Sequence, residues 1–359
     1  MSVTLSSRDR VLRAIRFEPT DCVAVAPYMY DVAAQHAQIP LREFYSRGDV
    51  MAQALLALRE SLQQDVIAIG SDNYYIAEGF GCGTVHHQDD LPTLEQPACS
   101  KLDEVLELVV PNPHRDGRMP VMLEAIELVK QAVGSDIAIR SPGTGPFALA
   151  SYFIGSEQWL YEVAMIEAEM PEANELAVRH ALQLATEALI QFGKACIAAG
   201  ADILHCGDSL ASCNVISPAT YERFVLPYQQ QVFAAWKEAC APACLLHICG
   251  NSTAVLSKYA ETGADVIEVD NDVQLAEARI TVGTRTALMG NMHTVKELWR
   301  AAPEDSYQAA QRCIAEGAGR GFILGSGCIV PRHTPLENLR AMVRAAREHS
   351  GSLGSSNIQ

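Results

Sequence analysis

Two short segments follow apolar runs that look like buried strands. His247-Ile248-Cys249-Gly250-Asn251 comes after Ala243 to Leu246, and Gly325-Ser326-Gly327-Cys328-Ile329-Val330-Pro331 comes after Gly321 to Leu324. Together they offer one imidazole and two thiols, the donor set of a zinc ion that keeps a coordination position open for chemistry. Residues i and i+2 at a strand end point to the same side, so His247 and Cys249 can share an ion. Gly327 allows close backbone approach just before Cys328. Zinc holds an incoming thiol as thiolate at neutral pH, where a free thiol of pKa about 8.5 is only a few per cent ionised. Two thiolates and a neutral imidazole cancel the charge of Zn²⁺. A third thiolate makes the site negative and leaves electron density on sulfur. The pattern points to thiol alkylation, with a water or a mobile carboxylate in the fourth position that leaves when substrate arrives. Glu78 of Tyr75-Ile76-Ala77-Glu78-Gly79 is the candidate carboxylate, against the alternative of a solvated loop glutamate.

Other clusters are weaker. His86-His87 with Asp89-Asp90 reads as a solvated loop, and His205 and Cys206 are adjacent, so on a strand they face opposite ways. The chain has no G-x-S-x-G nucleophile elbow and no G-x-x-x-x-G-K-[ST] phosphate loop. Gly79, Gly81 and Gly83 do not have dinucleotide-site spacing.

Eight short apolar segments are placed to position these groups: Cys22 to Ala26, Asp65 to Ile69, Ile137 to Arg140, Asp202 to His205, Ala243 to His247, Asp265 to Val269, Thr286 to Met289, and Phe322 to Leu324. Runs this short, separated by amphipathic stretches, mark parallel strands buried on both faces, and eight such units predict a (β/α)8 TIM barrel. Helices are expected over Ser156 to Ala168, Pro171 to Ala199, Pro218 to Cys240, Thr294 to Ala302 and Pro335 to Glu348. An N-terminal helical extension opens at Ser7-Arg8-Asp9-Arg10, capped by Ser6 or Ser7. Phe80 to Arg118 reads as an excursion beside the barrel mouth. Residues 1–349 are expected to form a single domain and the Ser/Gly-rich 350–359 a disordered tail. Tyr28, Asp72, Thr144, His205, Asp208, His247, Cys249, Glu268, Asp270, Asn291 and Cys328 all fall at or after the carboxyl end of a predicted strand, the catalytic face of such barrels.

The totals fit a soluble enzyme. A net charge of −16 argues against nucleic acid or an anionic membrane as partner, since both need a basic surface. Met1 to Arg16 does not read as a signal peptide, and no apolar run reaches the ~18 residues of a membrane span. Eleven cysteines in such a chain are expected to be reduced thiols in a cytoplasm.

Several stretches resemble the uroporphyrinogen decarboxylase superfamily. They are Ser7-Arg8-Asp9-Arg10-Val11-Leu12, Gly145-Pro146-Phe147-Ala148-Leu149-Ala150, Asp208-Ser209-Leu210-Ala211-Ser212 with Ile216-Ser217-Pro218, and Thr334-Pro335-Leu336-Glu337-Asn338-Leu339. Within it, His247-Ile248-Cys249-Gly250-Asn251 and Gly327-Cys328 look like the zinc motif of the methylcobamide:coenzyme M methyltransferases. The resemblance implies methyl transfer between a corrinoid and a thiolate bound to zinc at His247, Cys249 and Cys328. Asp208, Glu268, Asp270 and Asn291 would then shape the catalytic pocket, and Tyr28 and Asn251 would contact the cofactor. Because the chain carries no D-x-H-x-x-G corrinoid signature, the cobalamin is expected on a separate corrinoid protein. A small-molecule thiol or methyl donor is the other partner, and a homodimer is left open. Transfer in the opposite direction, from a methylated substrate to Co(I), stays an alternative, as does a non-catalytic corrinoid- or tetrapyrrole-binding module. Decarboxylation fits poorly, since Ala26-Pro27-Tyr28-Met29-Tyr30 stands where the decarboxylases carry an arginine-rich loop.

Overall fold

A computed structural model of the chain describes residues 4–70, 72–317 and 319–349; the expected tail, 350–359, lies outside them. The described residues hold ten strands: β1 (Ala24–Val25), β2 (Val66–Ala68), β3 (Gly83–Val85), β4 (Thr93–Gln96), β5 (Ala138–Arg140), β6 (Ile203–Gly207), β7 (Ala243–Ile248), β8 (Val266–Val269), β9 (Ala287–Met292) and β10 (Phe322–Ser326). Eight of them form one parallel sheet in the order β1-β10-β9-β8-β7-β6-β5-β2, and helices alternate with the strands. This is a nearly closed TIM barrel, and each of the eight predicted segments lies on one of its strands. The remaining pair, β3 and β4, is an antiparallel hairpin in the excursion after β2.

Two apolar cores flank the barrel wall. Ala24, Val66, Ala138, Ile203, Ala243, Leu245, Val266, Ala287, Met289 and Ile323 form the inner one, and Val11, Leu12, Ala14 and Ile15 join them. The helix Ser7–Ile15 therefore plugs one end of the barrel. Its N-terminus is capped by Ser6, whose hydroxyl accepts from the Asp9 N–H at 3.0 Å.

Three helical expectations shift. Pro218 to Cys240 divides into Pro218–Phe224 and Leu226–Glu238, because Pro227 has no N–H to continue the first helix. Glu175–Ala199 starts later than expected, where the Asn174 side chain accepts from the Ala177 N–H. Thr294–Trp299 is a single π-type turn.

Closure between β1 and β2 rests on Asp65, whose side chain is fully buried. Its backbone N–H donates to the Val25 carbonyl at 2.9 Å, and its carboxylate accepts the Val25 N–H at 2.9 Å. Arg10 (2.6 Å) and Arg347 (2.8 and 2.9 Å) donate to the same carboxylate. Asp65→Ala would strand buried guanidinium charge and open the seam. We expect a loss of about 3 kcal/mol, read by urea unfolding; a loss below about 1 kcal/mol would show that the seam closes without this clasp.

Candidate active site

Side chains along a strand alternate between two faces. Ala243 and Leu245 point into the barrel, so His247 and Cys249 continue the inward row. Val266 leads in the same way to Glu268 and Asp270, Ile203 to His205, Ala138 to Arg140, and Ala24 and Ala26 to Tyr28. The inward rows are apolar near the N-terminal plug and polar at the carboxyl ends, which makes one end a floor and the other a site.

At that polar end the structure brings His247, Cys249 and Cys328 together, with one ligand atom from each lying within 4.8 Å of the others. His247 Nε2 is 3.2 Å from Cys249 Sγ, and the two sulfurs are 3.4 Å apart. His247 Nδ1 is 3.1 Å from the Glu268 carbonyl oxygen and 3.3 Å from Glu268 Oε2. Those acceptors keep the proton on Nδ1 and turn Nε2 towards the sulfurs, the usual way a ligating histidine is held. Both cysteine residues are half-buried. The donor set, its spacing and the support behind the imidazole all fit zinc.

The three groups share protons unequally. Cys328 is held down to about 5 by the hydrogen bond from Cys249, with His247 adding to the effect against burial. Cys249 is pushed up by the same bond and by burial. Burial opposes charge on His247, but Cys328 and the Glu268 carboxylate outweigh it and raise the imidazole to about 9. At neutral pH one thiolate is ready, and a metal must displace protons from His247 and Cys249. Zinc affinity is therefore expected to rise from about pH 6 to about pH 9, measured by chelator competition. A flat profile would contradict this proton arrangement.

Behind His247 lies a fully buried ion pair. Arg140 Nη1 and Nη2 donate to the two Glu268 oxygens at 2.8 and 2.7 Å, and Nη2 lies 3.0 Å from His205 Nε2. Because guanidinium only donates, His205 Nε2 accepts. The Tyr28 ring covers the guanidinium, 4.0 Å from Cζ to ring centroid, and meets His205 edge-on. Burial favours neutral Glu268, but Arg140 and then His247 keep its carboxyl below the usual range. Sequence reasoning did not select Arg140; a charged residue closing an otherwise apolar strand was the available signal.

The other expected site residues are placed differently. Both Asp208 oxygens accept N–H bonds at the start of the helix Pro146–Ile154, from Phe147 (3.3 Å) and Ala148 (2.7 Å), and Gln229 donates at 3.0 Å. Asp208 thus caps a helix, and burial raises its carboxyl to about 6. Asn291 Nδ2 donates to the carbonyls of Asp270 (3.0 Å) and Val273 (2.7 Å), bracing the loop after β8. The Asn251 side chain accepts from the Thr253 N–H (3.1 Å) in a local turn. Glu78 is not brought into the His247 group: Arg118 (2.8 Å) and the Thr84 hydroxyl (2.5 Å) hold its carboxylate, and Arg118 is also paired with Asp72. An ion-paired glutamate would have to break that pair to reach a metal.

Comparison with known proteins agrees with this architecture. A family model described as uroporphyrinogen decarboxylase matches residues 6–349. The chain is 28% identical over 350 residues to methylcobamide:CoM methyltransferase MtbA of Methanosarcina acetivorans, covering 95% of this chain and 98% of that protein. It is 30% identical over 354 residues to uroporphyrinogen decarboxylase of Carboxydothermus hydrogenoformans, covering 95% and 97%. Among solved structures, a methyltransferase from Methanosarcina mazei superposes with a TM-score of 0.85 at 26% identity, covering 96% of this chain and 99% of the other.

Proposed function

The chain is an enzyme of the uroporphyrinogen decarboxylase family, and from that premise we propose that it is a zinc-dependent corrinoid methyltransferase moving a methyl group between a methylated corrinoid and a thiol. The observation that carries this reading is the meeting of His247, Cys249 and Cys328 at the polar end of the barrel. When bound there, zinc acts as a Lewis acid that keeps the acceptor sulfur ionised at neutral pH.

The chain's own residues supply the rest. His247, Cys249 and Cys328 hold the ion, and Glu268 fixes the imidazole with its Nδ1 proton turned away from the sulfurs. Arg140 neutralises Glu268, and Tyr28 shields that pair from water. Asp208 and Asn291 act at a distance by fixing the Pro146–Ile154 helix and the loop after β8. The acceptor, and a corrinoid carried by a separate protein, would approach at these half-buried cysteines. The working unit is a single domain over residues 1–349, placed in the cytoplasm; among the described residues no helix is long and apolar enough to cross a membrane.

Decarboxylation of a polyanionic tetrapyrrole is the weaker reading. The segment after β1, Ala26 to Tyr30, has no arginine, and Arg140 and Arg118 already face carboxylates. Zinc-loaded protein incubated with methylcobalamin and a panel of thiols is expected to yield methyl thioether and Co(I), with about one zinc per chain. Protein purified free of zinc that turns over a porphyrinogen would replace the proposal by decarboxylation. Methyl transfer only from a methylated substrate to Co(I) would reverse the direction.

A further inference from the structure

His205 is buried beside the metal cluster, its ring centroid 6.4 Å from that of His247, but it is not among the clustered ligands. It follows Ile203 on the inward row of β6. The ring has little freedom. A Cβ on Gly143 would meet its Nδ1 at 2.1 Å, and one on Gly207 would meet its Nε2 at 3.0 Å, so bare backbone closes on both nitrogens. The Tyr28 ring meets it edge-on, with centroids 5.4 Å apart. Among the described residues Nδ1 has no hydrogen-bond partner, and Nε2 is committed to Arg140 Nη2 at 3.0 Å. The Arg140 contact is the one polar task this ring performs.

Arg140 Nη2 carries two protons. One goes to Glu268 Oε2 at 2.7 Å and the other to His205. Nη1 takes Oε1 at 2.8 Å, so guanidinium and carboxylate form a fork that moves as one body. The same Oε2 lies 3.3 Å from His247 Nδ1, near the outer edge of hydrogen-bond range. A displacement of about 0.5 Å at Oε2 would take it out of reach. Tyr28 covers the guanidinium face and hinders tilting. Arg140 Nε has no partner among the described residues, which leaves His205 as the contact that pins the guanidinium edge outside the Glu268 fork. Only a neutral ring can do this, because a ring protonated at both nitrogens has no lone pair to offer. Burial, then Arg140 and His247, hold the His205 imidazole well below its ordinary pKa.

Resting on the zinc reading above, we propose that His205 is a positioning residue of the metal site. By accepting from Arg140 Nη2 it fixes the guanidinium, and through the guanidinium it holds the Glu268 carboxylate against His247 Nδ1. Outer partners of a ligating histidine are worth about 10–100-fold in metal affinity. His205 acts one step further out, so its share is about tenfold.

The test is chelator competition for zinc on the full chain as wild type, His205→Leu and His205→Gln. His205→Leu, which cannot accept, is expected to bind zinc about tenfold more weakly. His205→Gln, whose side-chain oxygen can accept the same N–H, should recover most of that loss. In the Arg140→Met, Glu268→Leu background, His205→Leu should change affinity less than about twofold, because no ion pair remains to position. Wild-type affinity in His205→Leu, equal losses for Leu and Gln, or the same tenfold loss in that background would each overturn the proposal. Nitrogen NMR of the labelled, metal-free wild type should find His205 neutral with its proton on Nδ1. A proton on Nε2, or a charged ring, overturns the proposal too, and this readout decides even if a variant fails to fold. Wild type with no affinity for zinc would instead remove the metal reading, and the role of His205 with it.

Discussion

Cys328→Ala is expected to melt within a few degrees of wild type, yet to retain almost no zinc and to transfer methyl about a thousandfold more slowly or worse. The fold should tolerate the change because Cys328 lies beyond the end of β10, is half-buried, and has its sulfur 3.4 Å from Cys249 Sγ rather than in the apolar core. Few packing contacts are lost. The site should not tolerate it, because two donors cannot hold the ion against water and buffer. Cys249→Ser should behave alike, while Cys240→Ala, at an exposed cysteine, is the control expected to change neither metal content nor rate. Metal analysis and the methylcobalamin assay on the same preparations decide the matter. Full zinc content in Cys328→Ala would move the metal elsewhere and remove the basis of the proposed chemistry.

The barrel was legible in the sequence because its strands are buried on both faces. Such strands leave short continuous apolar runs, and the charged residues at their margins, such as Asp65 and Asp265, mark where each run starts. The cluster was legible because two of its members share one strand end and the third follows a glycine-flanked turn at an equivalent place on the rim. What the sequence does not show is partners that lie far away along the chain. Glu78 reads as a free loop carboxylate until Arg118, forty positions on, is found holding it. Asp208, a pocket residue by the family resemblance, has its partners in a helix some sixty residues earlier. Arg140 was passed over because its carboxylate partner is 128 residues away, and an isolated arginine at a strand end gives no sign of it. Local pattern finds the wall and the His247, Cys249 and Cys328 cluster, whereas the polar layer behind them is fixed by contacts between strands.

That polar layer makes the last prediction a double substitution. Arg140→Met alone leaves the Glu268 carboxylate in a fully buried position with its main counter-charge gone. A loss of about 3–5 kcal/mol in urea unfolding is expected, and a destabilised barrel would lose zinc whatever role Glu268 plays. Arg140→Met combined with Glu268→Leu removes both charges and fills similar volume with apolar atoms. Since a buried ion pair costs much of its own attraction in desolvation, the double variant should regain most of the lost stability. Its zinc affinity should not recover. His247 Nδ1 keeps the Glu268 backbone carbonyl but loses the carboxylate 3.3 Å away, and outer partners of this kind are worth about 10–100-fold in metal affinity. Stability restored with weak zinc binding would show that the pair serves the metal site. Stability and affinity restored together would reduce it to a packing element, leaving the backbone carbonyl as the sole guide of the imidazole.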